Sequence, residues 1–116
     1  MGRVRSGGRR DRGLSFMSRK LAPVHPGEVL REEFLIPLNL SPYAVSKALG
    51  VPRTRIERLA REEVAVTADT ALRLAAFFGT TPFFWLNIQT QFDLERAADE
   101  AQGIEDIKPV REVIAA

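Results

Sequence analysis

The sequence of 116 residues contains no cysteine, a single histidine and no apolar run close to the length of about eighteen residues that a membrane-spanning helix requires. Without cysteine the chain can form no disulfide and offers no thiolate to a metal. One imidazole alone is a poor basis for a zinc or iron site, so we predict neither metal nor cofactor. The arginine-rich start lacks the apolar segment of a secretory signal. We therefore expect a cytoplasmic protein with no membrane partner.

The sequence also lacks a catalytic constellation. Glu28 and Glu32 lie one turn apart on a predicted helix and could in principle act as acid and base. Exposed helical carboxylates are far commoner than catalytic pairs, and neither a positioned nucleophile nor a phosphate-binding loop accompanies these two. We predict that the protein is not an enzyme and has no catalytic residues.

The net charge of +2 conceals an uneven distribution of charge. Residues 1–20 contain seven basic side chains and one acidic side chain, which leaves ten basic and fourteen acidic residues for 21–116. Within this acidic body, residues 41–61 contain one carboxylate, Glu57, and five cations that we call the basic patch: Lys47, Arg53, Arg55, Arg58 and Arg61. The strong local asymmetry indicates a surface that attracts a polyanion.

Residues 1–20 are rich in glycine, arginine and serine and show no apolar periodicity, which predicts a disordered arm. A basic arm could add non-specific attraction to phosphates. Alternatively, the segment has no consequence and Met17 is the natural start. We predict one domain over residues 21–98 and a C-terminal tail over 99–116, where weak alternation indicates a short strand or a flexible end.

The domain is predicted to be all-α with five helices. The first follows Pro26 and ends at Pro37, because proline cannot continue the hydrogen-bond ladder without a clash. The second begins with Ser41 as its N-cap and Pro42 at the first helical position, where a missing N–H costs nothing. It ends at Gly50, which suits a left-handed turn.

The other three helices show similar start and stop signals. The third is opened by Val51 and Pro52. The fourth begins at Thr67 as N-cap and runs to Phe78, where a glycine follows. The fifth repeats the cap-plus-proline start at Thr81 and runs through about Ala97.

The segment from Ser41 to Leu59 has the pattern of a helix-turn-helix. Ser46 is small enough to let two crossing helices approach closely. Ile56 and Leu59, three residues apart, are predicted to face inward and hold the angle between the helices. The outward residues of the second helix are then mostly cationic or hydroxylic. This arrangement fits a recognition helix whose N-terminal half enters the major groove of DNA.

Position on the two helices assigns a role to each polar side chain. Base readout is predicted for Arg53, Thr54 and Arg58, because arginine can grip guanine with two hydrogen bonds and the threonine methyl can contact a thymine methyl. Phosphate contacts are predicted for a second group: Ser41, Tyr43, Lys47, Arg55 and Arg61. The alternative interpretation is a solvated basic face on an ordinary helical bundle.

Six of the nine aromatic residues fall within residues 77–92, namely Phe77, Phe78, Phe83, Phe84, Trp85 and Phe92. Adjacent aromatics cannot all face one side of a helix, so they predict an exposed apolar patch as well as a core. A two-fold dimer through the fifth helix would cover this patch and place two recognition helices about 34 Å apart. The predicted dimer interface consists of Phe83, Phe84, Trp85, Ile88 and Phe92.

Four motifs, in this order, resemble the HigA family of antitoxins, which are Xre-type, lambda-repressor-like helix-turn-helix proteins. They are HPGEVLREEF at 25–34, ALGVP at 48–52, TADTALRLA at 67–75 and FFWLN at 83–87. The resemblance covers roughly residues 24–97. It implies a dimer that represses its own operon at a palindromic operator. It also implies a protein partner, HigB, which is a RelE-like ribosome-dependent mRNA endonuclease that the antitoxin neutralises.

The chain departs from the family after the recognition helix. The family commonly has a glycine and two basic residues there, whereas this sequence has Glu62, Glu63 and Val64. Two carboxylates beside DNA phosphates would repel them and weaken the grip on the backbone. These carboxylates keep open the alternative of a protein-binding module with a weakened DNA face. A stand-alone Xre-family regulator is a further alternative.

Overall fold

The computed structural model describes residues 22–115, which contain six helices and no strand. The first, α1, is one continuous rod built from Pro26–Val29, a π-helical middle Leu30–Leu35 and a last turn Ile36–Leu38. The others are α2 (Pro42–Leu49), α3 (Arg53–Ala60), α4 (Ala68–Phe78), α5 (Pro82–Glu100) and α6 (Val110–Ala115), with a 3₁₀ turn at Ile104–Asp106 before α6. The all-α prediction is confirmed, and α6 is a helix beyond the five predicted. The predicted arm at 1–20 lies outside the described residues.

Pro37 does not end α1, contrary to the prediction. The helix continues to Leu38 and ends where Asn39 adopts a left-handed conformation with φ of 54°. A wide π-helical turn precedes the proline, and in it the N–H of Ile36 donates to the carbonyl of Arg31, five residues back. In a regular α-helix a proline ring clashes with the carbonyl four residues earlier. The wider π-helical turn changes this spacing, so the helix tolerates Pro37.

The predicted bounds of α2 and α4 and the predicted start of α5 are confirmed by capping hydrogen bonds and by two left-handed glycines. Ser41, Thr67 and Thr81 each accept a hydrogen bond from the backbone N–H three residues further on, at 3.0–3.3 Å. Gly50 and Gly79 adopt left-handed conformations with φ of 72° and 76° at the ends of α2 and α4. Local side-chain chemistry therefore sets these boundaries.

A single core lies between the helices, and Trp85 is its largest fully buried side chain. The ring contacts Phe34 of α1 with centroids 5.2 Å apart, and Nε1 donates to Thr80 Oγ1 at 2.8 Å. Trp85 has no exposed surface, so its predicted place in the dimer interface is wrong: it belongs to the core of the monomer. The other wholly or almost wholly buried side chains include Leu30, Val45, Ile56, Leu59 and Leu74.

The C-terminal part is helical, which excludes the predicted short strand for the described residues. Helix α5 runs to Glu100, three residues beyond the predicted end. The tail then forms the 3₁₀ turn and α6. Its large aliphatic side chains are 58–77 % exposed, namely Ile104, Ile107, Val110, Val113 and Ile114. None of the described helices combines the length and apolar character needed to cross a bilayer.

Candidate nucleic-acid interface

Helices α2 and α3 meet at a turn centred on Gly50. The N–H of Gly50 donates to the carbonyl of Lys47 and the N–H of Val51 donates to the carbonyl of Ser46, a Schellman closure of α2. Ser46 is buried and its hydroxyl donates to the carbonyl of Tyr43 at 2.7 Å, which satisfies its polar group inside the packed unit. The small side chain is therefore buried within the helix-turn-helix, as the sequence predicts.

Helix α3 presents the predicted outward face. Ile56 and Leu59 are buried at 0 % and 1 % exposure and fix the orientation of the helix. The side chains of Arg53 and Arg58 are 59 % and 57 % exposed, and Thr54 is exposed beside them. The three residues predicted to read bases are therefore all accessible on α3.

Tyr43 brings two members of the basic patch together. Its half-exposed ring lies 5.6 Å from the ammonium of Lys47 and 5.4 Å from the guanidinium carbon of Arg53. Aromatic faces attract cations at such distances, so the ring holds cations of α2 and α3 beside each other. The Ser41 oxygen caps α2 and keeps its own hydroxyl proton free to donate.

Each arginine of the basic patch also has a carboxylate partner on the surface. The nitrogen-to-oxygen distances are 3.3 Å for Arg53–Glu57, 2.7 Å for Arg55–Asp69, 3.6 Å for Arg58–Glu63 and 3.0 Å for Arg61–Glu63. All seven side chains are between 34 % and 59 % exposed. Ion pairs this exposed contribute little to stability and exchange readily with other ions. The arginines therefore remain accessible to a polyanion.

Most of these carboxylate partners are not among the residues predicted from the sequence. The Arg53–Glu57 pair has the i,i+4 spacing of a helical ion pair and could have been found from the sequence. Asp69 lies fourteen residues after Arg55, and hydrogen bonds from Arg55 and then Arg73 hold the pKa of its carboxyl below the ordinary value. A hydrogen bond from Arg61 likewise lowers the pKa of Glu63. The Arg55–Asp69 pair depends on where α4 lies relative to α3, and the Arg61–Glu63 pair depends on the turn that ends α3. Neither arrangement follows from the spacing of the residues in the sequence.

The predicted dimer residues differ in accessibility. Phe83 is 68 % exposed and Phe84 is 38 % exposed, so both offer apolar surface. Phe92 is half-buried because its ring packs edge-on against His25, with centroids 4.8 Å apart. Ile88 is also half-buried and lines an open groove of about 590 Å³ between α5 and the segment before α1.

Comparison with known proteins identifies the family. A helix-turn-helix family model matches residues 30–86. Virulence-associated protein I of Dichelobacter nodosus is 47 % identical over 91 residues, which cover 78 % of this chain and 84 % of that protein. Antitoxin HigA-1 of Vibrio cholerae is 40 % identical over 92 residues, which cover 76 % of this chain and 87 % of that protein. The solved structure of Pseudomonas aeruginosa antitoxin HigA with the higBA promoter superposes with a TM-score of 0.70 at 39 % identity, over 75 % of this chain and 97 % of that one.

The chain belongs to the HigA family of helix-turn-helix proteins. The resemblance seen in the four sequence motifs is thereby confirmed. Its relatives are helix-turn-helix regulators and antitoxins rather than enzymes, which agrees with the predicted absence of catalysis.

This HigA-family chain closes α3 with an unusual residue. The N–H of Glu62 donates to the carbonyl of Leu59 and the N–H of Glu63 donates to that of Arg58, which is the same Schellman pattern that Gly50 forms after α2. Glu62 therefore has the left-handed φ of 64° that glycine adopts without strain. Arg31 of α1 supports the turn, since it donates to the carbonyl of Ala60 at 2.6 Å and to the Glu62 carboxylate at 3.1 Å.

This backbone strain gives a prediction for Glu62. The Glu62→Gly variant should be more stable than Glu62→Ala by about 1 kcal/mol, because both lose the contact with Arg31 but only glycine relieves the left-handed conformation. Urea denaturation of the two variants, followed by circular dichroism, measures the difference. Equal stability, or a more stable alanine variant, would show that the turn opens without a left-handed residue.

Proposed function

We propose that the chain is a cytoplasmic HigA-type antitoxin that binds a palindromic operator as a homodimer, represses its own operon and neutralises a RelE-like mRNA endonuclease, HigB. The observation that carries the DNA-binding role is the orientation of α3: Ile56 and Leu59 are buried, while Arg53 and Arg58 point outward from a helix-turn-helix. Support also comes from the relative solved with the higBA promoter.

The proposed contacts follow from the geometry of the two helices. Arg53, Thr54 and Arg58 lie on the exposed face of α3 and would read base edges in the major groove. The remaining polar residues would bind phosphates on either side of the groove, namely Ser41, Tyr43, Lys47, Arg55 and Arg61. Arg55 and Arg61 would have to leave Asp69 and Glu63 to do so.

The proposed dimer uses the exposed part of α5. Phe83 and Phe84 supply the apolar surface, with Ile88 and Phe92 at its edge. A two-fold arrangement through this helix would set the recognition helices about 34 Å apart, one turn of DNA. Because Trp85 is buried in each monomer, it would support this surface from behind rather than contact the second copy.

An electrophoretic mobility shift with the DNA upstream of the gene tests the DNA-binding role. The protein is expected to bind this duplex more tightly than a random duplex of equal length, and the affinity should fall steeply as salt rises from about 50 to 200 mM because phosphate contacts release counterions. Equal affinity for both duplexes would contradict operator recognition. Absence of binding at low salt would favour a protein-binding module whose DNA face is weakened by the carboxylate beside α3.

Replacing Arg53 or Arg58 with alanine should cost about 1–3 kcal/mol of binding free energy at the operator and relax the base preference at one position. Lys47→Ala is the matched control, since loss of a phosphate contact should weaken binding to all sequences alike. Fluorescence anisotropy on operator and random duplexes measures both effects. An equal loss on the two duplexes for Arg53→Ala would remove this residue from base readout.

The antitoxin role requires a second experiment. A neighbouring reading frame for a small basic protein would identify the candidate toxin, and the two proteins should copurify after co-expression. The chain should then block ribosome-dependent mRNA cleavage by that protein in a translation extract. Failure to bind or to protect, with operator binding intact, would indicate a stand-alone Xre-family regulator.

A further inference from the structure

Glu63 occupies a distinctive place at the end of the recognition helix. Its Oε1 lies 3.6 Å from Nε of Arg58 and its Oε2 lies 3.0 Å from Nε of Arg61, so one carboxylate serves two cations of the basic patch. We infer that Glu63 is an intramolecular competitor for DNA phosphates, which lowers the affinity of the chain for DNA of any sequence. This inference rests on the proposed DNA-binding function.

The backbone fixes Glu63 in this position. Its N–H donates to the carbonyl of Arg58 at 2.9 Å as part of the Schellman turn, and Arg31 anchors the preceding residue to α1. The carboxylate is therefore held within reach of both guanidinium groups for as long as α3 is folded. A carboxylate on a flexible segment would have to be ordered before it could compete in the same way.

Charge explains how this carboxylate weakens DNA binding. An arginine that already has an anionic partner gains little when a phosphate replaces that partner, because one ion pair is exchanged for another. The displaced carboxylate then lies beside the DNA backbone and repels it. Across the basic patch, Glu57, Glu63 and Asp69 offset three of the five positive charges.

Glu63 is the most suitable of the three carboxylates for an experiment. Glu57 is paired with Arg53 on its own helix, whereas Glu63 is paired with two arginines of the patch. Asp69 also binds Arg73, which in turn donates to the carbonyl of Leu49 at the end of α2, so its replacement would disturb the helix-turn-helix itself. By contrast, Glu63 bonds to the fold through its backbone, and its side chain contacts the two arginines.

The test compares Glu63→Gln with Glu105→Gln. Both remove one negative charge, but Glu105 is an exposed residue of the 3₁₀ turn after α5 and provides the control for net charge. Fluorescence anisotropy is measured with the upstream duplex and with a random duplex between about 50 and 200 mM salt. At low salt, Glu63→Gln should bind both duplexes about threefold to tenfold more tightly than the original protein, as expected for one unit charge beside a phosphate.

The salt dependence supplies a second readout. Freeing an arginine for phosphate should steepen the plot of log affinity against log salt by about one. Glu105→Gln should leave this slope unchanged. Urea unfolding of Glu63→Gln should match the original protein, because exposed ion pairs contribute little to stability, so a changed affinity would not arise from misfolding.

The outcomes separate this inference from the proposed function. If the original protein prefers the upstream duplex and Glu63→Gln behaves like Glu105→Gln, the inference is wrong and the function stands. If Glu63→Gln gains affinity but no protein prefers the upstream duplex, the inference stands and operator recognition is wrong. If none of the proteins binds either duplex at low salt, both are overturned.

Discussion

Replacing Trp85 with alanine is expected to lower the free energy of unfolding by about 3–5 kcal/mol, which is a large part of the stability of a domain of this size. The side chain has no exposed surface and packs among the rings of Phe34, Phe78 and Phe84 at centroid distances of 5.1–6.4 Å. The variant also loses the hydrogen bond from Nε1 to Thr80. Urea denaturation followed by far-ultraviolet circular dichroism is the suitable measurement, because the chain has one tryptophan and its fluorescence disappears with the substitution.

Phe83→Ala is the matched control on the same helix. Phe83 is 68 % exposed, so its loss should change the unfolding of the monomer by less than about 1 kcal/mol. Sedimentation should instead show a lower dimer content, because the ring supplies surface for the proposed dimer. A Phe83→Ala variant that remains fully dimeric would contradict the role of this aromatic in association. A Trp85→Ala variant as stable as Phe83→Ala would contradict its place in the core.

The sequence predicted the elements that depend on local chemistry. The three N-caps and the left-handed glycines after α2 and α4 form hydrogen bonds with residues a few positions away in the chain. A serine or threonine before a helical segment and a glycine after it therefore identify the helix ends from the sequence. The orientation of α3 was also predictable, because it depends on the spacing of apolar residues within one helix. Ile56 and Leu59 are the large apolar residues of a mostly polar helix, and burying them turns Arg53 and Arg58 outward.

Features that depend on the packing between helices could not be predicted. The π-helical turn before Pro37 lets α1 continue along the core, in which Leu30 and Leu35 are buried, and the residues around the proline do not specify this packing. Trp85 and Phe83 are both large aromatic residues, and the packing of α1 and α4 against α5 decides which ring is covered. The Arg55–Asp69 pair joins two helices across a loop.

Gly27→Ala tests how α1 positions the recognition helix. A Cβ atom at residue 27 would collide with the carbonyl oxygen of Leu59, so this glycine allows the backbones of α1 and α3 to touch. His25 fixes the same turn, since its Nδ1 accepts a hydrogen bond from the Gly27 N–H at 2.8 Å. The clash is between backbone atoms and the new Cβ, and a rotation of a side chain cannot relieve it. We therefore expect a loss of about 3 kcal/mol in the free energy of unfolding.

The neighbouring substitution Glu28→Ala controls for a change in the first turn of α1. Glu28 is exposed, and its loss removes a favourable charge at the helix N-terminus that contributes less than about 1 kcal/mol. Because the clash at Gly27 is with a residue of α3, the surviving folded molecules should hold this helix displaced and bind operator and random DNA with a smaller difference in affinity. Equal stability and equal operator preference for the two variants would mean that α1 can shift away from the Leu59 carbonyl without a cost in free energy. In that case the position of the recognition helix would depend on its contacts with α2 rather than on α1.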